Sequence, residues 1–145
     1  MGDPSLSPAI YLVSCVSKKR TTPARAKELY ISHWFQKARR YVEATHSQWF
    51  ILSAEHGLVA PDQIIAPYER TLYNMSASER RAWAARVKTQ MGRSLPDADR
   101  IVILAGLRYR EGLMDYFRQR AKIVEIPMEG LSIGRQLHYL ANASP

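Results

Sequence analysis

The segment Trp49-Phe-Ile-Leu-Ser53, followed directly by Ala-Glu-His-Gly57, decides how this chain folds. Its first half is almost continuously apolar, which is typical of a parallel strand that is buried on both faces. Its second half places a hydroxyl, a carboxylate, an imidazole and a glycine where that strand ends. Because ligands of open α/β sheets lie at the carboxyl ends of strands, the same segment predicts a functional site.

Three more apolar runs have the character of strands, at residues 10–15, 100–105 and 122–126. Helical patterns separate the runs, and alternating strands and helices are typical of parallel sheets. We therefore predict an α/β fold of three layers, in which helices flank a mostly parallel sheet of four to five strands. A flexible lead-in at residues 1–8 is expected to precede a single domain at 9–145.

Four helices are predicted around these strands, over residues 32–45, 76–92, 107–120 and 133–141. The second has a clear beginning, because Ser76 and Glu79 have the spacing of a capping box. Gly92 is a plausible residue to end it. The stretch 54–75 is expected to be a long, ordered loop without regular structure, and loops of that length are usually functional.

Composition restricts the classes of protein that fit. Apolar residues make up 46% of the 145 residues, which indicates a globular domain, and no apolar run is long enough to span a membrane. The one cysteine, Cys15, excludes an internal disulfide and favours a cytoplasmic location. The four histidines lack the spacing of zinc ligands. A net charge of +8 favours an anionic partner such as nucleic acid, although an indifferent basic surface is the alternative.

Side chains that follow the four strands are expected to meet at one edge of the sheet. The candidates for contact with a substrate are Ser14, Lys18, Ser53, Gly57, Tyr68, Gly106, Tyr109, Gly130, Gly134 and Gln136. The candidates for contact with a nucleic-acid backbone are Lys19, Arg20 and Arg108. For Tyr109 we prefer a structural role, because it falls on the apolar face of the third predicted helix, which is expected to pack in the protein core. Cys15 is either a small buried hydrophobe or a thiol activated by the neighbouring cations.

Glu55 and His56 are the candidate catalytic residues, because activation of water needs a carboxylate or an imidazole. Adjacent residues of an extended chain point in opposite directions, so at most one of them is expected to face a pocket. The structural alternative is that His56 hydrogen-bonds the loop backbone and Glu55 pairs with an arginine.

Basic residues also recur on the predicted helices and form faces that suit a phosphate backbone. Those of the second and third helices are Arg80, Arg81, Arg86, Lys88, Arg108, Arg110, Arg118 and Arg120. Ordinary solvated helix surface is the alternative interpretation. No P-loop and no dinucleotide-binding glycine motif is present.

The segment 52–68 resembles the L-S-A-x-x-G-x-x-x-P…P-Y pattern of the bacterial YaaA proteins, which are linked to peroxide stress and DNA binding. Ser53, Gly57 and Tyr68 fall in step with that pattern. The resemblance implies an α/β core and a role around DNA, and kinship with uracil-DNA-glycosylase-like folds implies N-glycosidic chemistry. Glu55 and His56 stand where YaaA proteins tend to carry Leu-Tyr, so the resemblance does not supply this pair.

The favoured interpretation is a DNA-glycosylase-like hydrolase that acts on a damaged or modified base of a flipped nucleotide. Glu55 or His56 would activate water, Lys18 would hold a flanking phosphate and Tyr68 would contact the base. This chemistry requires no metal and no cofactor, and its partner is nucleic acid, with DNA favoured over RNA. The alternatives are a non-catalytic DNA-binding stress-response protein, and an enzyme or sensor for a nucleotide-like small molecule.

Overall fold

The computed structural model of the chain describes residues 8–14 and 18–142. Its strands are β1 (Ala9–Ser14), β2 (Ala24–Arg25), β3 (Gln48–Ser53), β4 (Gly57–Val59), β5 (Ile64–Ile65), β6 (Arg100–Leu104) and β7 (Ile123–Glu125). Its helices are α1 (Ala26–Leu29), α2 (His33–Ala44), α3 (Ala77–Ser94), α4 (Leu107–Arg110), α5 (Met114–Arg120) and α6 (Ile133–Asn142). Cys15 and residues 1–7 of the predicted lead-in at 1–8 lie outside these ranges.

A five-stranded sheet in the order β4-β3-β1-β6-β7 forms the centre of the fold. β1 pairs in parallel with β3 and β6, and β6 pairs in parallel with β7. Only the edge strand β4 runs antiparallel within this sheet, alongside β3. The mostly parallel α/β sheet predicted from the strand–helix alternation is confirmed. β2 and β5 form a separate antiparallel pair.

Helices cover both faces of the sheet, which confirms the predicted three layers. All residues of β1 are buried, and successive side chains point alternately to the two faces of the sheet, as the period of a strand requires. Tyr11 and Val13 share a core with Phe35 of α2 and with α6. Ile10 and Leu12 face the opposite core, which α3 and α5 complete. The chain goes from β1 to β3 on one side and returns to β6 on the other, so the strand order reverses beside β1, and this reversal is where such sheets bind ligands.

The predicted starts of two helices are confirmed at the level of single hydrogen bonds. The Ser32 hydroxyl accepts from the backbone N–H of Phe35 at 3.1 Å and caps α2. Ser76 and Glu79 form a reciprocal capping box at the start of α3. Gly92 does not end α3, which continues to Ser94.

Two other predictions about local structure are wrong. The predicted third helix is divided into α4 and α5, because the turn between them packs closely on α3: a Cβ at Gly112 would lie 3.0 Å from the Ala84 Cβ. The stretch 54–75 is not irregular throughout, since it contains β4, β5 and a 3₁₀ turn at Leu72–Asn74. Among the helices that the structure describes, none combines the length and the apolarity needed to cross a membrane.

Candidate ligand site at the carboxyl edge of the sheet

A cavity of about 160 Å³ opens at the carboxyl ends of β6 and β7. Three of the predicted substrate-binding residues line it, namely Gly106, Gly130 and Gln136. Trp34 at the start of α2, together with Arg110 and Glu129, completes its polar and aromatic wall. The structure therefore brings together part of the predicted site, beside the point where the strand order reverses.

Arg110 is the most unusual side chain of this cavity. Only 10% of its side chain is exposed, and its Nε and Nη1 atoms are buried without a hydrogen-bond partner among the described residues. Its Nη2 atom lies 3.5 Å from Glu129 Oε2, and the Glu129 side chain is 65% exposed. A buried charge is stabilised by close pairing and full hydrogen bonding. The distance from the Arg110 guanidinium to the Glu129 carboxylate is long, and the hydrogen bonding of the guanidinium is incomplete among the described residues.

Gln136 holds the aromatic wall of the cavity in place. Its Oε1 accepts from the indole Nε1 of Trp34 at 2.9 Å, and its Nε2 donates to the backbone carbonyl of Leu131, also at 2.9 Å. Both ends of the amide are therefore engaged. Gln136 lines the cavity as predicted, and these bonds fix the orientation of the Trp34 ring.

A second cluster of predicted residues lies at the ends of β1 and β3. The Lys19 ammonium lies 4.4 Å from the ring centroid of Tyr68, close enough for a cation–π interaction. The Tyr68 hydroxyl is 2.7 Å from that of Tyr30, and the His56 ring meets the Tyr68 ring edge-on at 5.4 Å between centroids. Tyr68 is therefore half-buried, and its ring contacts both Lys19 in the loop after β1 and His56 in the turn after β3.

Glu55 and His56 occupy the tip of the β3–β4 hairpin. The His56 backbone N–H donates to the Ser53 hydroxyl at 2.9 Å, and its Nε2 lies 3.2 Å from the carbonyl of Ala66. Glu55 is exposed, and its carbonyl accepts from Arg86 at 2.8 Å. This contact of the His56 side chain with the loop backbone agrees with the structural alternative described above for that residue. Neither residue lines the β6–β7 cavity.

Gly57 shapes this hairpin tip. It has a φ of +75°, in the left-handed region that favours glycine, and it pairs with Ser53 across the hairpin. The Gln90 side chain fills the space beside it, accepts from the backbone N–H of Leu58 at 2.8 Å and donates to the carbonyl of His56 at 3.2 Å. The hairpin tip is therefore fixed from α3.

The other predicted substrate-binding residues are divided between the core and the surface. Ser14 and Tyr109 are buried, with 6% and 1% exposure, and the Tyr109 hydroxyl lies 3.4 Å from the backbone N of Leu72. The core position preferred for Tyr109 is thus confirmed. Lys18 is exposed after β1, and Gly134 is exposed in α6 with open space beside it.

A basic groove lies between α3 and α4, and we call it the α3–α4 groove. Arg80, Arg81, Lys88 and Arg108 line it, and among the described residues Glu111 is the one carboxylate beside them. Its volume is about 530 Å³. The α4 helix is its common wall with the cavity, because Arg108 faces the groove while Arg110 faces the cavity.

Two arginines assigned to the basic surface of the third predicted helix are not surface residues. Arg110 is buried in the cavity wall, and Arg120 is only 15% exposed. Arg120 donates to the backbone carbonyls of Met91 and Leu95 and so satisfies the end of α3. Arg20, predicted to contact backbone phosphate, is exposed and donates to the carbonyl of Glu28 at 2.8 Å.

Sequence reasoning missed Trp34 and Arg110 as site residues. Trp34 fits the apolar stripe of an amphipathic helix, and its position at the first turn of α2 was the one signal that it faces a strand end. Arg110 stands among other arginines, and it differs from Arg108 because residues two apart on a helix do not share a face. No group of three or more His, Cys, Asp or Glu side chains in the described ranges has the arrangement of a metal site.

Comparison with known proteins gives a family and no activity. A stretch of 92 residues, which is 63% of this chain, is 29% identical to the uncharacterized protein YfjM of Bacillus subtilis (strain 168). The matched stretch covers 61% of the length of that relative. No solved structure matches the chain. The resemblance to YaaA proteins is not tested by these similarities and stays a prediction. A family model matches residues 10–142, and the chain therefore belongs to the family of unknown function DUF6884.

Proposed function

We propose that the protein acts on nucleic acid, DNA rather than RNA, as a DNA-glycosylase-like hydrolase that accepts one damaged or modified base in the β6–β7 cavity. The observation that carries this proposal is the juxtaposition of a ring-sized cavity and a basic groove on the two sides of α4. A cytoplasmic location accords with this role.

The cavity has the size of a single ring. A volume of about 160 Å³ is close to the roughly 150 Å³ of an engineered cavity that admits benzene. Enzymes that do chemistry on a base rotate it out of the stack into such a pocket and hold it between aromatic or apolar side chains. Trp34 supplies an aromatic wall of this kind, and Gly106 and Gly130 add no side chain to narrow the space.

The α3–α4 groove supplies the charge that holds a strand beside that pocket. Its four cations outnumber its one carboxylate, and contacts of this kind hold backbone phosphates without reading sequence. Because α4 separates the groove from the cavity by the width of one short helix, a strand in the groove would bring a flipped nucleotide to the cavity.

Hydrolysis would join the oxygen of a water molecule to C1′ of the sugar while the N-glycosidic bond breaks. The electron pair leaves with the nitrogen of the base, and a carboxylate takes the proton of the water. Glu129 is the carboxylate that lines the cavity, so we assign this role first to Glu129. Glu55 and His56, at the hairpin tip of the same edge, are the second assignment.

The test is cleavage of end-labelled oligonucleotides that each carry one altered base, namely uracil, 5-hydroxymethyluracil, 8-oxoguanine or hypoxanthine, followed by alkali. An alkali-sensitive break at uracil or 5-hydroxymethyluracil supports the proposal, whereas 8-oxoguanine and hypoxanthine have two fused rings, exceed a single-ring cavity and should stay uncut. Glu129→Gln should abolish the break while Glu55→Gln preserves it, and the reverse result would transfer the role to the hairpin tip. Binding without any break would leave a non-catalytic DNA-binding protein, which the groove also favours.

Salt dependence tests the groove. Each phosphate contact contributes about 0.9 to the slope of log affinity against log salt for duplex DNA. Arg81→Gln should lower that slope by about this amount. Arg93→Gln is the matched control, because Arg93 is exposed at the opposite end of the same helix. Equal slopes for the two variants would remove the groove from the DNA-binding surface.

A further inference from the structure

We infer that the β6–β7 cavity binds a planar ring that carries a carboxylate or an equivalent oxyanion, with Arg110 as its counter-ion. Applied to DNA, the inference rests on the proposed function and names a substrate class: a modified base with an acidic substituent. The binding of a free acidic ring by the same cavity does not depend on that function.

The first step of the argument is the incomplete bonding of Arg110. A guanidinium has five N–H donors in a planar fork that matches two oxygens of one carboxylate or phosphate. Two of the three nitrogens of Arg110 are buried and unpartnered within the described part of the chain. Buried polar groups in proteins nearly always have partners, so an exception calls for an explanation, and an oxyanion bound in the adjoining cavity is the explanation that we infer for Arg110.

The second step is that Glu129 is a poor permanent partner. Its carboxylate approaches only one nitrogen of Arg110, at 3.5 Å, and 65% of its side chain is exposed. Exposed, distant pairs contribute little to stability. The Glu129 carboxylate is also free to turn toward solvent, since it stands on an exposed turn before Gly130. An acidic ligand can therefore displace it without unfolding any element.

The third step is the shape of the remaining space. Trp34, held by Gln136, lines the cavity, and the volume admits one ring with small substituents. A neutral ring would leave Arg110 with only its long contact to Glu129 and with two buried nitrogens unpartnered within the described part of the chain, which is unfavourable. An acidic ring supplies both the flat surface for Trp34 and the negative charge for Arg110.

The experiment compares two small probes, uracil and uracil-5-carboxylate, which share a ring and differ in charge. We expect the carboxylate to bind the native protein about 10- to 100-fold more tightly, as titration calorimetry would measure, because charged hydrogen bonds are strong. Arg110→Met should remove this preference. Arg118→Met is the control, since 64% of the Arg118 side chain is exposed on α5. Glu129→Gln should tighten binding of the carboxylate several-fold by removing its competitor.

The stability of Arg110→Met without ligand distinguishes a ligand site from a structural arginine. Removal of one partner of an ion pair is costly when the other charge stays buried, but Glu129, the partner of Arg110, is 65% exposed and remains solvated. We expect an unchanged or higher melting temperature. A large loss of stability in Arg110→Met, together with equal affinity of the native protein for both probes, would overturn the inference. If neither uracil nor uracil-5-carboxylate binds the native protein, the inference is overturned as well.

Oligonucleotides with 5-carboxycytosine or 5-methylcytosine separate this inference from the proposed function. Selective cleavage at 5-carboxycytosine supports both. If the free carboxylate binds through Arg110 and no oligonucleotide is cut, the acidic-ring site stands and the glycosylase function fails. If a neutral base is excised equally well by the native protein and by Arg110→Met, the function stands and the acidic-ring inference fails.

Discussion

Substitution of Gly57 by alanine should weaken the fold more than the same change at any exposed turn, because two separate effects meet at this residue. The φ of +75° is unfavourable for alanine by about 1 kcal/mol or slightly more. The added Cβ would also overlap the Oε1 atom of Gln90, so that side chain must move away. Movement breaks its hydrogen bond to the backbone N–H of Leu58, a buried residue.

The loss of that bond sets the magnitude. A buried donor left without a partner costs about 1–3 kcal/mol, so the total for Gly57→Ala is about 3 kcal/mol. Gly130→Ala is the matched control, since Gly130 has a φ of +81° but nothing within 4 Å of the added Cβ. It should lose only about 1 kcal/mol, from the backbone alone. Thermal unfolding should show decreases of roughly 6–12 °C and 2–4 °C.

A double-mutant cycle with Gln90→Ala isolates the overlap. Gln90→Ala alone should cost about 2 kcal/mol through the orphaned N–H of Leu58. Once Gln90 is truncated, Gly57→Ala should add only its backbone term, so the double variant should lose about 3 kcal/mol rather than about 5. Additive losses, or equal losses for Gly57→Ala and Gly130→Ala, would refute the reasoning that the Gln90 side chain and not the backbone conformation dominates at this turn.

Three further predictions concern helix ends. Arg120→Met should destabilise the protein by about 2 kcal/mol in denaturant unfolding, because Arg120 satisfies carbonyls at the end of α3, whereas Arg118→Met should change stability by less than about 0.5 kcal/mol. Ser76→Ala should cost about 1 kcal/mol by removing the cap of α3. A second bond, from the Ser76 backbone N–H to the Glu79 carboxylate, lowers the pKa of Glu79. The stability that this second bond contributes is complete above the pKa of an unfolded glutamate, about 4.3, and is lost as the pH falls through the lowered pKa of the folded state. Glu79→Gln should flatten the acid side of the stability profile, and an unchanged profile would contradict the assignment.

The central strands and the capped helices were predictable because their signals are local. β1, β3 and β6 are apolar runs bounded by polar residues, and the capping box of α3 is a pattern of four residues. Periodicity and capping chemistry act within one element, so a single sequence contains them. The position of the site at the carboxyl edge followed from the same signals, since it is a property of parallel sheets.

The features that were missed depend on contacts between distant parts of the chain. β4 has only three residues, and the conformation of Gly57 with its support from Gln90 defines the hairpin. The break between α4 and α5 arises where Gly112 meets Ala84 of α3. Such contacts leave no pattern in the local sequence. The helical periodicity of residues 107–120 therefore predicted one continuous helix where the structure has α4 and α5.

Arg108 and Arg110 both lie on α4, two residues apart, and residues with that spacing do not share a face of a helix. Arg108 therefore lines the groove, and Arg110 lines the cavity. Because the Arg108 side chain is solvated and the Arg110 side chain is buried, the two arginines should have different affinities for the same ligand. Arg108 suits the mobile phosphates of a strand, and Arg110 suits one fixed oxyanion, so the two should respond differently to salt. Binding of uracil-5-carboxylate should depend weakly on ionic strength, because buried pairs are screened less than exposed ones, while binding of duplex DNA should weaken steeply.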